Sequence, residues 1–461
     1  MQHSQTLSLE VTHSLFERAK SAFFKFGEDT ALVAVQHMLE QTVDLFDTIA
    51  GIGLNPQNMF ALGKVYSNSR PVIETLRKRG VTVVETTTPG PGKFEHCFEQ
   101  DAKKLWQLAA EKLAARRVKR ILVLDDGGVC ITTVPPELLR DYSMCGVEQT
   151  SLGMFLFEKK PPPFAVISWA RAAVKLEIGG PIFSQCLIDR LKHKFLDHKP
   201  EQLGIIGMGS IGRAVANLAA REGWRVLYYD PRKYLEIDRT CAAESLEDLM
   251  LRCDYVVGCS GRNPFKNNWP LRHRPGIKLI SGSGGDQEFG PIIDDLKTKP
   301  DFHVDPDTLN INSALGPSGP IQIAYQGFPY NFVSRAPEAV PTRIVQLETG
   351  GLLAALIQAR IYLEFYEEGL ARNTGIHRVS PAAQKFVYEE WRKVMKDSKI
   401  DLVELFGHDP ATLREAEHED WFAENSEPHP STRYVPLITL EDEMSQIVCR
   451  QCNPLFRQAA G

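Results

Sequence analysis

The chain has 461 residues, too many for one ordinary domain at ~150 residues each. Hydrophobic residues make up 43% and charged residues 24%, which excludes a wholly disordered chain. Against 58 acidic residues stand 53 basic ones, a net charge of −5, so binding nucleic acid by neutralising phosphates is not expected.

The opening stretch, MQHSQTLSLEVTHSLFERAK, has no cationic start followed by an apolar core, so no secretory leader is expected. Residues 34–53 carry apolar positions at helical spacing and are expected to form a helix with His37 on its apolar face. Short β-branched runs at 81–87 and 120–128 read as buried strands, with an amphipathic helix over 101–119 between them. Its basic end, Arg116, Arg117 and Lys119, reads as a solvated last turn. Strand, helix, strand order implies an α/β unit with a mainly parallel sheet. The prolines of KKPPP at 159–163 punctuate the chain, and 164–170 reads as another strand. A helix from about 184 leads into a second α/β unit that closes near 332, and a long helix is expected over 344–371. The more polar residues beyond it read as a mostly helical extension. No apolar run of roughly 18 residues stands out, so no membrane span is expected. Nine scattered cysteines point to a reducing cytoplasm. Cys449 and Cys452 form the single close pair, too few ligands for a closed zinc site, and no metal is expected.

The strongest local signal is Gly207-Met208-Gly209-Ser210-Ile211-Gly212. It follows the apolar run 203–206 and opens a helical pattern with Ala214, Val215, Leu218 and Ala219 on one face. Gly223 stands where a helix C-cap belongs. The next apolar run, RVLYYD, ends in Asp230. That is the dinucleotide fingerprint. Gly207 permits the tight turn, Gly209 lets the backbone approach a pyrophosphate, and Gly212 lets helix and strand pack closely. Ser210 and Ile211 begin the helix whose N-terminal amides face the phosphates. Asp230 should bind the adenosine ribose and repel a 2′-phosphate, favouring NAD over NADP; Arg232 and Lys233 lie just beyond it. The fold class is therefore α/β, with two Rossmann-like domains of mainly parallel sheets plus a mostly helical C-terminal extension. The boundaries expected are 1–183, 184–336 and 337–461.

The motif order, from about residue 34 to about 365, resembles S-adenosyl-L-homocysteine hydrolase. AVQHM around His37, LDDGG at 124–128, GVEQTS at 146–151 and AAVKLE around Lys175 precede the glycine turn. GCSG at 258–261 and YQGFPYN ending in Asn331 follow it. The resemblance implies His37, Asp126 and Lys175 as catalytic residues. It places Thr150 and Ser151 near the cofactor ribose, Ser260 in a later cofactor motif and Asn331 at the nicotinamide amide. Departures stand at Leu39, Gln41, Gln149, Ala170, Gly179, Gly180 and Ser283. They imply an altered substrate and little hydrolysis of S-adenosylhomocysteine. The function expected is an NAD-dependent enzyme oxidising a hydroxyl. One alternative is a non-catalytic NAD-binding regulatory protein. The other is a D-2-hydroxyacid-dehydrogenase-like oxidoreductase, which GMGSIGRAVA would suit equally, with Arg262 and His273 as its members. Glu148, Asp286 and Glu288 read either as site residues or as loop braces. The partner expected is a small-molecule substrate, with neither nucleic acid nor membrane; an assembly of identical chains is left open.

Overall fold

The computed structural model describes residues 9–231, 240–332, 341–367, 369, 374–398 and 419–426. The Cys449–Cys452 pair, Arg232, Lys233 and most of the C-terminal extension lie outside them.

Two sheets organise the chain. The first has seven parallel strands: β1 (Thr30–Met38), β2 (Met59–Asn68), β3 (Thr82–Val84), β4 (Arg120–Asp125), β5 (Ser143–Glu148), β6 (Ala165–Ser168) and, from late in the chain, β15 (Ile376–Arg378). Their spatial order is 15-6-5-4-1-2-3. The second has eight, in the order 12-13-14-11-10-7-8-9. Its parallel part holds β7 (Gln202–Ile206), β8 (Arg225–Tyr229), β9 (Thr240–Ala242), β10 (Tyr255–Gly258), β11 (Ile277–Ser281) and β14 (Gly319–Ile323). β12 (His303–Val304) and β13 (Ile311–Gly316) add antiparallel at one edge. This is the expected α/β class with mainly parallel sheets and a Rossmann-like cofactor unit.

The helix expected over 34–53 is corrected. Residues Thr30–Met38 form an interior strand of the first sheet, between β4 and β2, and a helix begins only at Glu40. A strand covered on both faces reads as a continuous apolar run, which periodicity alone cannot tell from a buried helix. His37 therefore stands near the carboxyl end of a parallel strand, not on a helix face. The helix expected over 101–119 spans Phe94–Leu113. Arg116 beyond it is not merely solvated: it donates to the Gln57 carbonyl and, at 2.9 Å, to Asn58 Oδ1.

The long helix Thr342–Glu367 returns to the first sheet, where its apolar side chains share a core with Leu15, Leu45, Leu124 and Trp169. Each fully buried side chain of this kind contributes ~1.5–3 kcal/mol. Gly351 permits the approach, since a Cβ there would lie 2.1 Å from the Trp169 ring. By length and composition this helix could cross a membrane, against the expectation of no such segment, but 94% of its most apolar window is buried inside the protein. A core helix explains its composition. Helix Gly180–Lys194, preceded by the π-helical stretch Val174–Gly179, carries the chain from one sheet to the other.

Candidate active site

A cleft of about 1060 Å³ is lined from both sheets. Ligands of open α/β sheets bind outside the carboxyl ends of the strands. His37 near the end of β1, Lys64 and Tyr66 in the second half of β2, and Asp126 just past β4 all reach it.

Asp126 is the hub. It is 3% exposed, and one carboxylate oxygen takes the Lys64 ammonium. The other accepts from Gln149 Nε2 at 2.5 Å and lies 3.3 Å from His37 Nε2. Burial alone would raise the Asp126 pKa; Lys64 and His37 reverse this and hold it well below the usual carboxylate range. Burial likewise opposes the charge on Lys64, but Asp126 and Tyr66 hold its pKa above the ordinary value. For His37, burial wins over the neighbouring Asp126, so its pKa falls below 6.5 and the ring is neutral at pH 7. Ser67 Oγ lies 2.5 Å from His37 Nδ1 and 3.4 Å from the Lys64 carbonyl. The carboxylate acceptor assigns the ring proton to Nε2, which donates to Asp126, and leaves Nδ1 to accept from the Ser67 hydroxyl.

Behind this hub lies a second carboxylate layer. Asp125 accepts from the amides of Asp126 and Ile131, both at 2.8 Å. Glu148 accepts from the amides of Gly127 and Thr150 and from the Thr150 hydroxyl. Burial pushes the Asp125 pKa up to about 7 and that of Glu148 upward as well. Glu148 is thus a brace for the LDDGG loop. Thr150 is a helix cap whose Oγ also accepts from Gly153 N at 3.0 Å. Ser151 lines the cleft beside it. Lys175 is not a surface lysine. It is half-buried and pairs with Glu348 at 2.7 Å, on the same oxygen that accepts from Trp169 Nε1 at 2.8 Å.

Across the cleft, the glycine turn has the geometry its spacing requires. Gly207 has φ +90°, and a Cβ there would lie 2.6 Å from Ser260 Cα. A Cβ on Gly212 would lie 1.9 Å from the Gly207 carbonyl oxygen. A Cβ on Gly209 would meet nothing within 4 Å, so the backbone there is open. No side chain caps helix Ser210–Arg221, leaving its first amides available to an anion. The Ser210 hydroxyl itself donates to the Leu176 carbonyl, and the Ile211 carbonyl accepts from Ser184 at 3.3 Å. Asp230 directly follows β8 and accepts from Met208 N at 2.7 Å, bracing the turn. Gly223, with φ +73°, follows the helix end.

Ser260 is braced rather than open: its amide and hydroxyl both donate to Glu288 Oε1, at 3.1 and 2.8 Å. Glu288 also accepts from Gly261 N at 3.2 Å, so it holds the loop that packs on Gly207. Asp286 accepts from Phe94 N at 3.3 Å and ties the two halves together. Burial pushes the Glu288 pKa up to about 7 despite the bonds from Ser260 and Ser283. Because this pKa is raised on folding, the protonated form's stabilisation is complete below the ordinary value of 4.5 and is lost as pH rises through about 7. We expect the stability difference between wild type and Glu288→Gln to shrink across that window in thermal unfolding. A difference independent of pH would show that Glu288 does not titrate there.

Asn331 and Phe332 close the cleft. The Asn331 Oδ1 atom is buried without a hydrogen-bond partner among the described residues, an acceptor suited to a ligand amide. Phe332 stacks on His37 with centroids 4.1 Å apart. His37, Asp126, Lys175, Thr150, Ser151, the 207–211 backbone, Asp230, Ser260 and Asn331 all line this one cleft. Gly212 acts from behind it. Sequence reasoning missed Lys64 and Glu348, whose signal is a charge inside an otherwise apolar run. Of the members named for the hydroxyacid alternative, Arg262 lines the cleft, 3.6 Å from Glu158. His273 does not: it is buried, with Nδ1 on the Arg274 carbonyl and Nε2 accepting from Ser318 N.

Residues 185–267 match the model of the D-isomer specific 2-hydroxyacid dehydrogenase NAD-binding domain. The chain therefore carries an NAD-binding domain of this kind. A glyoxylate reductase of Thermococcus kodakarensis is 46% identical over 57 residues, 12% of this chain and 17% of that protein. An uncharacterized protein of Mycobacterium tuberculosis is 29% identical over 311 residues, 65% of this chain. The match spans only 58% of that relative's length. Cofactor-bound 3-phosphoglycerate dehydrogenase of Entamoeba histolytica aligns over 75% of this chain and 99% of its own, at 12% identity and a TM-score of 0.33. The match of residues 185–267 overturns the resemblance to S-adenosylhomocysteine hydrolase: the cofactor segment fits the dehydrogenase model instead. The histidine segment, taken as that family's helix, is moreover a strand.

Proposed function

We propose that this protein is an NAD-dependent oxidoreductase that interconverts a hydroxyl and a carbonyl on a small molecule. The two sheets act as two domains divided near residues 184 and 336, with the reaction in the cleft between them. The observation that carries this reading is the convergence of the glycine turn and the His37–Asp126–Lys64 cluster on one cleft.

Gly207, Gly209 and Gly212 shape the turn, and the Ser210 and Ile211 amides would hold the pyrophosphate of NAD. Asp230 would hold the adenosine ribose, Thr150 and Ser151 would border the nicotinamide half, and Asn331 would accept from the carboxamide. The nicotinamide supplies a hydride acceptor or donor when bound. His37 takes the substrate hydroxyl proton at Nδ1, the nitrogen that otherwise accepts from Ser67. Its Nε2–H donates to the anionic Asp126, which favours the imidazolium that forms. Ser67 keeps the ring in the required tautomer, and Gln149 and Lys64 keep Asp126 in place and ionised. Lys175, fixed by Glu348, lies along the same wall.

Because burial lowers the His37 pKa, its base form persists below pH 6.5. We expect the acid limb of the rate profile to fall below that value, and His37→Ala to lose ~10²–10⁴-fold in rate. The test supplies NAD⁺ with a panel of small hydroxylated compounds and follows NADH fluorescence. Turnover unaffected by His37→Ala would sink the assignment. NAD should also bind more tightly than NADP, and Asp230→Ala should narrow the gap. Equal affinities in the unmutated protein, by calorimetric titration, would refute that preference.

A further inference from the structure

The cleft is lined by five cations and five carboxylates. Four of the cations sit at ion-pair distance from a carboxylate that lines the same cleft. Lys64 is on Asp126 and Lys175 is 2.7 Å from Glu348. Arg262 is 3.6 Å from Glu158, and Arg213 is 3.8 Å from Glu177. The fifth, Arg171, lies over the Phe155 ring at 5.7 Å. At the buried end, beside His37, the cations are the two lysines, and both are committed to carboxylates.

A 2-hydroxy acid entering that end would bring a third anion. A buried carboxylate needs a cation or several donors of its own. To take Lys175 it would have to displace Glu348, whose side chain is only 9% exposed and is pinned by Trp169. The displaced carboxylate would then remain in the site as an unpaired charge. Glu348 Oε1 already lacks a hydrogen-bond partner among the described residues. A hydroxyl can complete that deficit, whereas another anion adds repulsion. Gly179 makes the arrangement sterically feasible, because a Cβ there would stand 2.2 Å from Glu348 Oε1.

We propose that the cleft takes an uncharged, hydroxylated substrate and discriminates against 2-hydroxy acids, with Glu348 setting that preference by neutralising Lys175. This rests on the oxidoreductase reading and specifies its substrate class. It also separates the substrate end of this chain from the hydroxyacid chemistry named for the proteins its cofactor segment matches.

The test titrates oxamate, a small carboxylate probe, into the full-length protein by calorimetry, with and without NADH. Three proteins are compared: wild type, Glu348→Gln, and Glu348→Gln combined with Lys175→Met. Circular dichroism and thermal unfolding establish that each variant is folded. We expect weak binding to wild type, a gain of at least about tenfold in Glu348→Gln, and loss of that gain in the double variant. Oxamate binding to wild type as tightly as to Glu348→Gln overturns the proposal, as does a gain that survives Lys175→Met. If the variants unfold, wild type decides alone: NADH-dependent reduction of glyoxylate at a rate above that of uncharged hydroxyaldehydes overturns the proposal, and the reverse order supports it. Failure of the wider reading is separate and is seen as no NADH binding by wild type at all.

Discussion

Replacing Asp126 by Ala is expected to cost both stability and activity, each by a large margin. The substitution leaves Lys64, with a side chain only 3% exposed, without its counter-charge. Breaking a buried pair by removing one partner costs about 3–5 kcal/mol, because the remaining charge is uncompensated. The Gln149 amide loses its acceptor and His37 loses its anionic neighbour at the same time. Rate should fall by ~10²–10⁴-fold through the loss of proton transfer. Urea unfolding and NADH formation measure the two effects. The pH dependence gives an independent sign. The folded pKa of Asp126 is depressed, so its stabilisation is present above the ordinary 3.8 and is lost as pH falls through the folded value. The Ala variant should therefore lose less stability on acidification than wild type does. A variant within about 1 kcal/mol of wild type would mean that Lys64 finds other partners or water.

The second large effect concerns the glycine turn, where two neighbouring substitutions should separate cleanly. Gly207→Ala places a side chain at φ +90° and 2.6 Å from Ser260 Cα. The left-handed backbone costs about 1–2 kcal/mol, and the clash moves the Ser260 loop off its Glu288 brace. NAD affinity should fall by at least about tenfold together with stability. Gly209→Ala meets nothing within 4 Å, so the free protein should keep its stability. Its added methyl would still stand where the pyrophosphate must approach, and NAD affinity should fall alone. Calorimetry paired with thermal unfolding checks both. Gly209→Ala binding NAD as tightly as wild type would contradict the placement of the phosphates.

The cofactor half was legible because its signal is local. Six residues, the strand before them, the helix after them and the acid at the next strand end all lie within one supersecondary unit. The substrate half was less legible because its bonds join distant positions. Lys64 and Asp126 are 62 residues apart, and Lys175 and Glu348 are 173 apart. Nothing next to Lys64 in LGKVYSN announces its partner, and Glu348 sits in a helix whose apolar composition hides one buried acid. The same limit explains the misread strand at Thr30–Met38, where burial on both faces erases the alternation that marks a half-exposed strand. It also explains the misleading resemblance. Short polar motifs at the carboxyl ends of parallel strands recur wherever such a sheet binds a ligand, and their order constrains chemistry only weakly.

The central claim is that one cleft holds a nicotinamide against the His37–Asp126–Lys64 cluster. A crystal structure of the protein soaked with NAD tests it most directly. The account predicts the pyrophosphate over Gly209 at the start of helix Ser210–Arg221, the carboxamide on Asn331, and the nicotinamide ring facing His37. A dinucleotide bound elsewhere, or bound at the turn with its nicotinamide directed away from His37, would contradict it.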